Sequence, residues 1–145
     1  MLRVNLGCGE DFSEELIGID IYDYGQPHVL DIEKNPLPFE DNTVDVIKAD
    51  HLIEHLSEIA HVFNECHRVL KKGGEFRVKV PNAMWQGAFM PPHKQHITLS
   101  WFDFFRKEKT RIYGYERWEI RLLEFSNNDT GIDKEITCIL TPVKI

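Results

Sequence analysis

The chain has 145 residues, 42% hydrophobic and 28% charged, with a formal net charge of −7. That length suits one domain around one core, and the composition excludes collagen, coiled coil and intrinsic disorder. The charge is uneven: residues 1–72 carry 15 acids and 6 bases, residues 73–145 carry 9 and 11. An acidic first half argues against a phosphate-rich partner there. The basic stretch Arg106, Lys107, Lys109 and Arg111 precedes Tyr113, Tyr115 and Trp118 but contains Glu108. It reads as a solvated helix end, so nucleic acid is not expected as a partner.

The first strand is expected at 2–6, where Leu2-Arg3-Val4-Asn5-Leu6 alternates and stops at Gly7-Cys8-Gly9. A second apolar run covers 16–21 and a third covers 28–32, each closing near an acid. Asn35-Pro36-Leu37-Pro38 breaks the chain before a fourth strand at 44–49. Ile59, Val62, Phe63, Cys66, Val69 and Leu70 then fall at helical spacing. Ser57 is the expected cap, Lys71 and Lys72 suit the negative end of the dipole, and Gly73 is the stop. A fifth strand alternates over 75–80. A short helix is expected over 100–107, capped by Ser100 with Asp103 three residues on. Strands at 118–125 and 135–143 are joined by the turn-rich loop Asn127-Asn128-Asp129-Thr130-Gly131. No repeat or linker interrupts the pattern, so residues 1–145 form one domain. No apolar run approaches the ~20 residues that span a bilayer. The start lacks the regions of a signal peptide, and Cys8, Cys66 and Cys138 make no CxxC pair. A cytoplasmic chain without disulfides or membrane contact is the simplest expectation.

Three early strands therefore end in candidate ligand groups: Gly7-Cys8-Gly9, Asp20 and Asp31. In an open parallel sheet, ligands bind beyond the carboxyl ends of the strands. A carboxylate after the second strand suits a ribose diol, and one after the third suits an exocyclic amine. This is a site for an adenosine-bearing cofactor. A dinucleotide fits poorly, because Phe12 replaces the third glycine of GxGxxG and Asp20 lies only 13 residues beyond Gly7. Glu10, Asp11, Glu14 and Glu15 also crowd the place of a pyrophosphate. S-adenosylmethionine, which has a cationic sulfonium and no phosphate, suits those acids better.

Val4-Asn5-Leu6-Gly7-Cys8-Gly9 resembles the glycine motif of class I S-adenosylmethionine-dependent methyltransferases. The segments 37–45, 49–56 and 68–74 resemble, in the same order, the approach to the fourth strand, the segment after it, and the helix end before the fifth. More narrowly, the chain is similar to a small subgroup with a shortened first crossover, as is the His-containing segment Pro92-His93-Lys94-Gln95-His96-Ile97-Thr98. The resemblance implies an α/β, Rossmann-like, mostly parallel sheet with a C-terminal antiparallel hairpin, lacking the N-terminal cover helices. It puts Gly7, Cys8 and Gly9 beside the methionine part of S-adenosyl-L-methionine, with Asn5 near its ammonium. Asp20 falls on the ribose, with Ile21 also in the cofactor set. Asp31 and Ile32 fall near the adenine, and Asp50 or His51 near the sulfonium. The family usually has an acid at Asn5 and often a third glycine at Asp11. The six residues between Gly9 and Leu16 are too few for a crossover helix but can return as extended chain.

His51-Leu52-Ile53-Glu54-His55 also matches the HxxEH pattern of inverted zinc peptidases. The glycine loop and strand-end acids have no place in that fold, so no metal site is expected. His61 and His67 are expected on an exposed helix face, and His93 and His96 in a loop over the strand ends. The implied function is methyl transfer to an unidentified acceptor, small or polymeric, with His93, His96 and Asp50 as catalytic candidates. The alternative is a non-catalytic binding module or partner subunit. Trp85, Phe89, Met90, Trp101 and Phe104 are candidates to stack on the acceptor. The same aromatic-rich stretch and a thinly covered sheet suggest a homodimer.

Overall fold

A computed structural model of the chain describes residues 1–126 and 133–145; the expected loop at 127–131 lies outside the described residues. The strands are β1 (Arg3–Leu6), β2 (Ile17–Asp20), β3 (His28–Val29), β4 (Val44–Asp50), β5 (Leu70–Pro81), β6 (Trp118–Ser126) and β7 (Glu135–Pro142). They form one sheet in the order β3-β2-β1-β4-β5-β7-β6. The first five are parallel, while β7 runs antiparallel to both β5 and β6. Among the described residues the α-helices are α1 (Ile59–Val69) and the short α2 (Leu99–Asp103), which continues as a 3-10 turn to Arg106. The expected sheet is present, including its C-terminal antiparallel pair. The first crossover is a run of turns from Gly7 to Leu16 closed by a Ser13–Leu16 bridge.

The sheet has one apolar face and one polar face. Paired positions across neighbouring strands point the same way, and Val4, Ile47, Phe76 and Leu140 form one such row, all fully buried. The next row is Asn5, Lys48, Arg77 and Ile139. α1 lays Ile59, Val62, Phe63, Cys66 and Val69 on the apolar face. There Phe63 stacks on Phe105 with centroids 4.3 Å apart and meets Phe76 edge-on at 5.2 Å. Phe102, Phe105 and Trp118 are buried in the same core, with Trp101 and Phe104 packed against it. The aromatics that suggested a dimer, and two of those proposed to stack on the acceptor, therefore complete this chain's own core. The sheet face left open is polar rather than apolar, so it offers no argument for self-association.

Several end signals come from tertiary contacts instead of the expected local ones. Ser57 does not cap α1. The Glu33 carboxylate accepts the backbone N–H groups of Ser57 and Glu58, the latter at 3.0 Å, placing negative charge at the helix N-terminus. Helical geometry stops at Val69, because Leu70 is already extended and opens β5. Lys71 pairs with Asp45 at 2.9 Å instead of facing the dipole, and Lys144 donates to the carbonyls of His67 and Arg68. His67 is buried rather than exposed, edge-on to Trp118. Ser100 lies inside α2, whose cap position is Thr98. The third strand pairs only at His28 and Val29, which leaves Asp31 in the turn after it.

Candidate active site

The strand order reverses between β1 and β4, which open toward opposite edges of the sheet. At such a switch point the connections diverge and leave a crevice at the carboxyl ends of the strands. A cavity of about 350 Å³ lies there, walled by Gly7, Asp20, Ile21, Tyr22, Asp31, Ile32, His51 and Leu52 among others. That volume is in the range of small-ligand pockets. A larger, more open hollow of about 440 Å³ lies at the far end of α1, away from the strand ends.

The glycines bend the chain around this crevice. Gly7 and Gly9 have φ of +63° and +51°, a region that favours glycine. A Cβ on Gly7 would stand 3.0 Å from Leu52 Cδ1, so the bare backbone there makes room in the wall. Asp20 holds the loop: Oδ2 accepts from the Gly9 amide at 2.9 Å and Oδ1 from the Tyr22 amide at 3.0 Å. Each oxygen keeps a further lone pair for a ligand hydroxyl. Asp31 Oδ1 accepts from the Glu33 amide at 3.0 Å, and Lys34 lies 3.6 Å from its other oxygen.

Of the expected cofactor residues, Gly7, Asp20, Ile21, Asp31, Ile32 and His51 line this cavity; Asn5, Cys8, Gly9 and Asp50 do not. Asn5 is buried and donates to the Asp11 carbonyl at 2.8 Å, stitching the first crossover to β1. Cys8 turns toward β2: a Cβ on Gly18 would meet its sulfur at 2.7 Å. Burial pushes its thiol up, with Asp20 adding to the effect, so it is poorly suited to act as a nucleophile. Asp50 instead pairs with Lys48 at 3.3 Å, and Lys48 also holds Asp11 at 2.7 Å.

A second cavity of about 280 Å³ shares His51 and His55 with the first. Its walls include Glu54, Trp85, Met90, His93, Lys134 and Glu135. His51 sits on the boundary with φ +52°, an uncommon backbone for a histidine. Its Nδ1 is 3.6 Å from Glu54 and its Nε2 is 2.8 Å from Glu135. Glu54 as a nearby charge, and Glu135 as a hydrogen-bond partner, hold this imidazole above its ordinary range. His93 lines the second cavity, whereas His96 is exposed and packs on Phe89 at 4.3 Å, outside both. Glu54, Glu135, Tyr22 and Leu52 were not among the expected site residues. For Glu54 the HxxEH spacing was the available signal.

A family model described as a methyltransferase domain matches residues 5–78. The chain is 37% identical over 93 residues to a Mycolicibacterium smegmatis protein named "Probable S-adenosylmethionine-dependent methyltransferase". That match covers 52% of this chain and 36% of the relative. A similarly named Mycobacterium tuberculosis protein is 33% identical over 93 residues, covering 52% of this chain and 34% of that protein. The match thus spans about a third of the length of these curated relatives. Among solved structures, a SAM-dependent methyltransferase from Aquifex aeolicus superposes with a TM-score of 0.70 at 18% identity, covering 99% of this chain and 82% of that one. One from Mesorhizobium loti gives 0.69 at 14% identity, with 97% and 90% covered. Those two likenesses concern the fold. No helix among the described residues is long and apolar enough to cross a membrane. With the ordered glycine loop, the strand order and the matched family model together, the chain belongs to the class I S-adenosylmethionine-dependent methyltransferase family.

Proposed function

We propose that the chain binds S-adenosylmethionine in the strand-end cavity and transfers its methyl group to an acceptor in the adjoining one. The observation that carries this reading is that the two cavities meet at His51 and His55, just beyond the end of β4. When bound, the cofactor supplies a methyl group on a sulfonium that is already a good leaving group, so the protein's task is placement. Asp20 is suited to the ribose diol, Asp31 with Ile32 to the adenine, and the gap beside Gly7 to close backbone approach. His51 Nε2 is engaged by Glu135 at 2.8 Å and its Nδ1 faces Glu54 at 3.6 Å, so this ring is not placed as a base toward the acceptor. His93 donates from Nδ1 to the Ala88 carbonyl at 2.9 Å, which leaves Nε2 available to take a proton from a hydroxyl acceptor. Trp85 and Met90 beside Lys134 and Glu135 suit an acceptor with an apolar body and a polar reacting group.

Calorimetry with S-adenosylhomocysteine tests the first half of the reading, and no heat at millimolar ligand would overturn it. Transfer of a labelled methyl group to small hydroxyl or amine acceptors tests the second. Binding without transfer would reassign the chain to a cofactor-holding module.

A further inference from the structure

We infer that Glu54, His55 and His93 form a binding site for a divalent transition-metal ion of the zinc type on the wall of the acceptor cavity. One ligand atom from each residue lies within 4.8 Å of the others. The two imidazoles are prepared in the same way. His93 Nδ1 faces the Ala88 carbonyl at 2.9 Å, and His55 Nδ1 faces the Pro92 carbonyl at 3.3 Å. A carbonyl only accepts, so each Nδ1 carries the proton and each Nε2 presents a lone pair. Proteins orient metal-bound histidines in this manner. The rings meet edge-on with centroids 4.8 Å apart, and His55 Nε2 is 3.8 Å from Glu54 Oε1.

The second observation is the state of Glu54. It is 1% exposed, and among the described residues its Oε2 has no hydrogen-bond partner. His51 and His55 approach only Oε1, at 3.6 and 3.8 Å, too far for hydrogen bonds. Burying a carboxylate without donors is costly unless a cation compensates it. The backbone keeps the three groups together: the amides of Lys94 and Gln95 donate to the Glu54 carbonyl at 2.7 and 3.0 Å, and Gln95 Nε2 to the Leu56 carbonyl at 3.0 Å. Zinc bonds of ~2.0–2.2 Å need donors roughly 3.3 Å apart, so an ion would draw together groups that now stand within 4.8 Å of one another. Two imidazoles and one carboxylate with open positions are a donor set suited to catalytic zinc. This is not the His51–His55 pair that the HxxEH spacing suggests, because His51 is turned to Glu135. With the ion in place His93 Nε2 would be a ligand rather than a base, and the ion would instead polarise an acceptor oxygen in the cavity containing Trp85 and Met90 and ease release of its proton to solvent. That role rests on the methyl transfer proposed above; binding of the ion does not.

The test is titration of chelator-treated protein with zinc chloride by calorimetry, and with cobalt chloride by visible absorption. One ion per chain at micromolar concentration is expected, together with a cobalt absorption band showing nitrogen ligation. His93→Ala and Glu54→Gln should each weaken zinc by about 100-fold or more. His93 lies on a loop, so its variant remains informative if Glu54→Gln fails to fold. Asp20→Asn should retain zinc while weakening S-adenosylhomocysteine, and His93→Ala should weaken zinc while retaining S-adenosylhomocysteine, so the two proposals fail separately. No saturable binding at micromolar metal, or unchanged affinity in His93→Ala, would overturn the site.

Discussion

Alanine at Gly7 probes the wall of the strand-end cavity proposed to hold the cofactor, and alanine at Gly9 is its internal control. Both positions have left-handed backbone, φ +63° and +51°, and a side chain there costs ~1–2 kcal/mol. For a domain of this size each kcal/mol lowers the melting temperature by roughly 2–4 °C, so both variants should melt a few degrees lower. Their surroundings differ. A Cβ at Gly9 meets nothing within 4 Å, whereas at Gly7 it stands 3.0 Å from Leu52 Cδ1 and 3.4 Å from Leu52 Cβ and Cδ2. Leu52 lines the same cavity, so relief of that contact moves the wall. Gly7→Ala should weaken S-adenosylhomocysteine by about 10-fold or more, which is ~1.4 kcal/mol. Gly9→Ala retains the amide that donates to Asp20 and should stay within about 3-fold, under ~0.7 kcal/mol. Calorimetry on both variants, with melts as the stability control, decides. Equal losses of affinity would refute the assignment of the Gly7–Leu52 gap as the binding wall.

Asp20→Asn removes a charged acceptor worth ~1.5–3 kcal/mol and should weaken the same ligand by roughly 10- to 100-fold; an unchanged titration would remove Asp20 from the ribose. Glu33→Ala strips the carboxylate from the start of α1 and should cost about 0.5–2 kcal/mol, read as a lower urea midpoint with an unchanged slope. His67 gives a pH signature. Burial, and then the Lys144 charge, lower its pKa, against an opposing pull from Glu116. Its stabilising contribution is complete above the unfolded value of ~6.5 and is lost as pH falls toward the folded one. Wild type should therefore lose more melting temperature than His67→Asn between neutral pH and mild acid; parallel losses would contradict this.

The strand-end cavity was readable because its signals are contiguous. A strand, a glycine loop and an acid within a few residues describe a local turn, and Gly7, Asp20 and Asp31 stand where that grammar puts them. What was not readable depends on distant segments meeting. The cap of α1 comes from Glu33, and the cover of His67 from the chain's last residues. The convergence of His93 on Glu54 needs the loop after β5 to fold back onto the segment that follows β4. The expected helix runs through Lys72 to a stop at Gly73, past its observed end at Val69, because Leu70 continues the apolar stripe while its backbone, at ψ 138°, has already turned into β5. His51 illustrates the opposite failure: its spacing to His55 suggests a shared helical face, but the segment is a single 3-10 turn at Ile53–His55.

The polar face explains how so short a crossover suffices. Parallel sheets are usually buried on both sides, with near-continuous apolar strands. Here β5 instead alternates Glu75, Arg77 and Lys79 with Phe76, Val78 and Val80, only the latter set fully buried. Charges on the open side pair along the sheet, Glu75 with Arg77 at 2.6 Å and Lys48 with Asp50 at 3.3 Å. A crossover helix would have no apolar stripe to sit on there. The turns from Gly7 to Leu16 need only to return the chain to the start of β2 and shelter Asn5, which they do through the Asp11 carbonyl at 2.8 Å. Asp11 then bonds Lys48 at 2.7 Å, tying the loop to β4. The shortened loop and the alternating strands are thus one adaptation: an apolar row in place of Lys48, Arg77 and Lys79 would demand a cover that ten residues of turns cannot form.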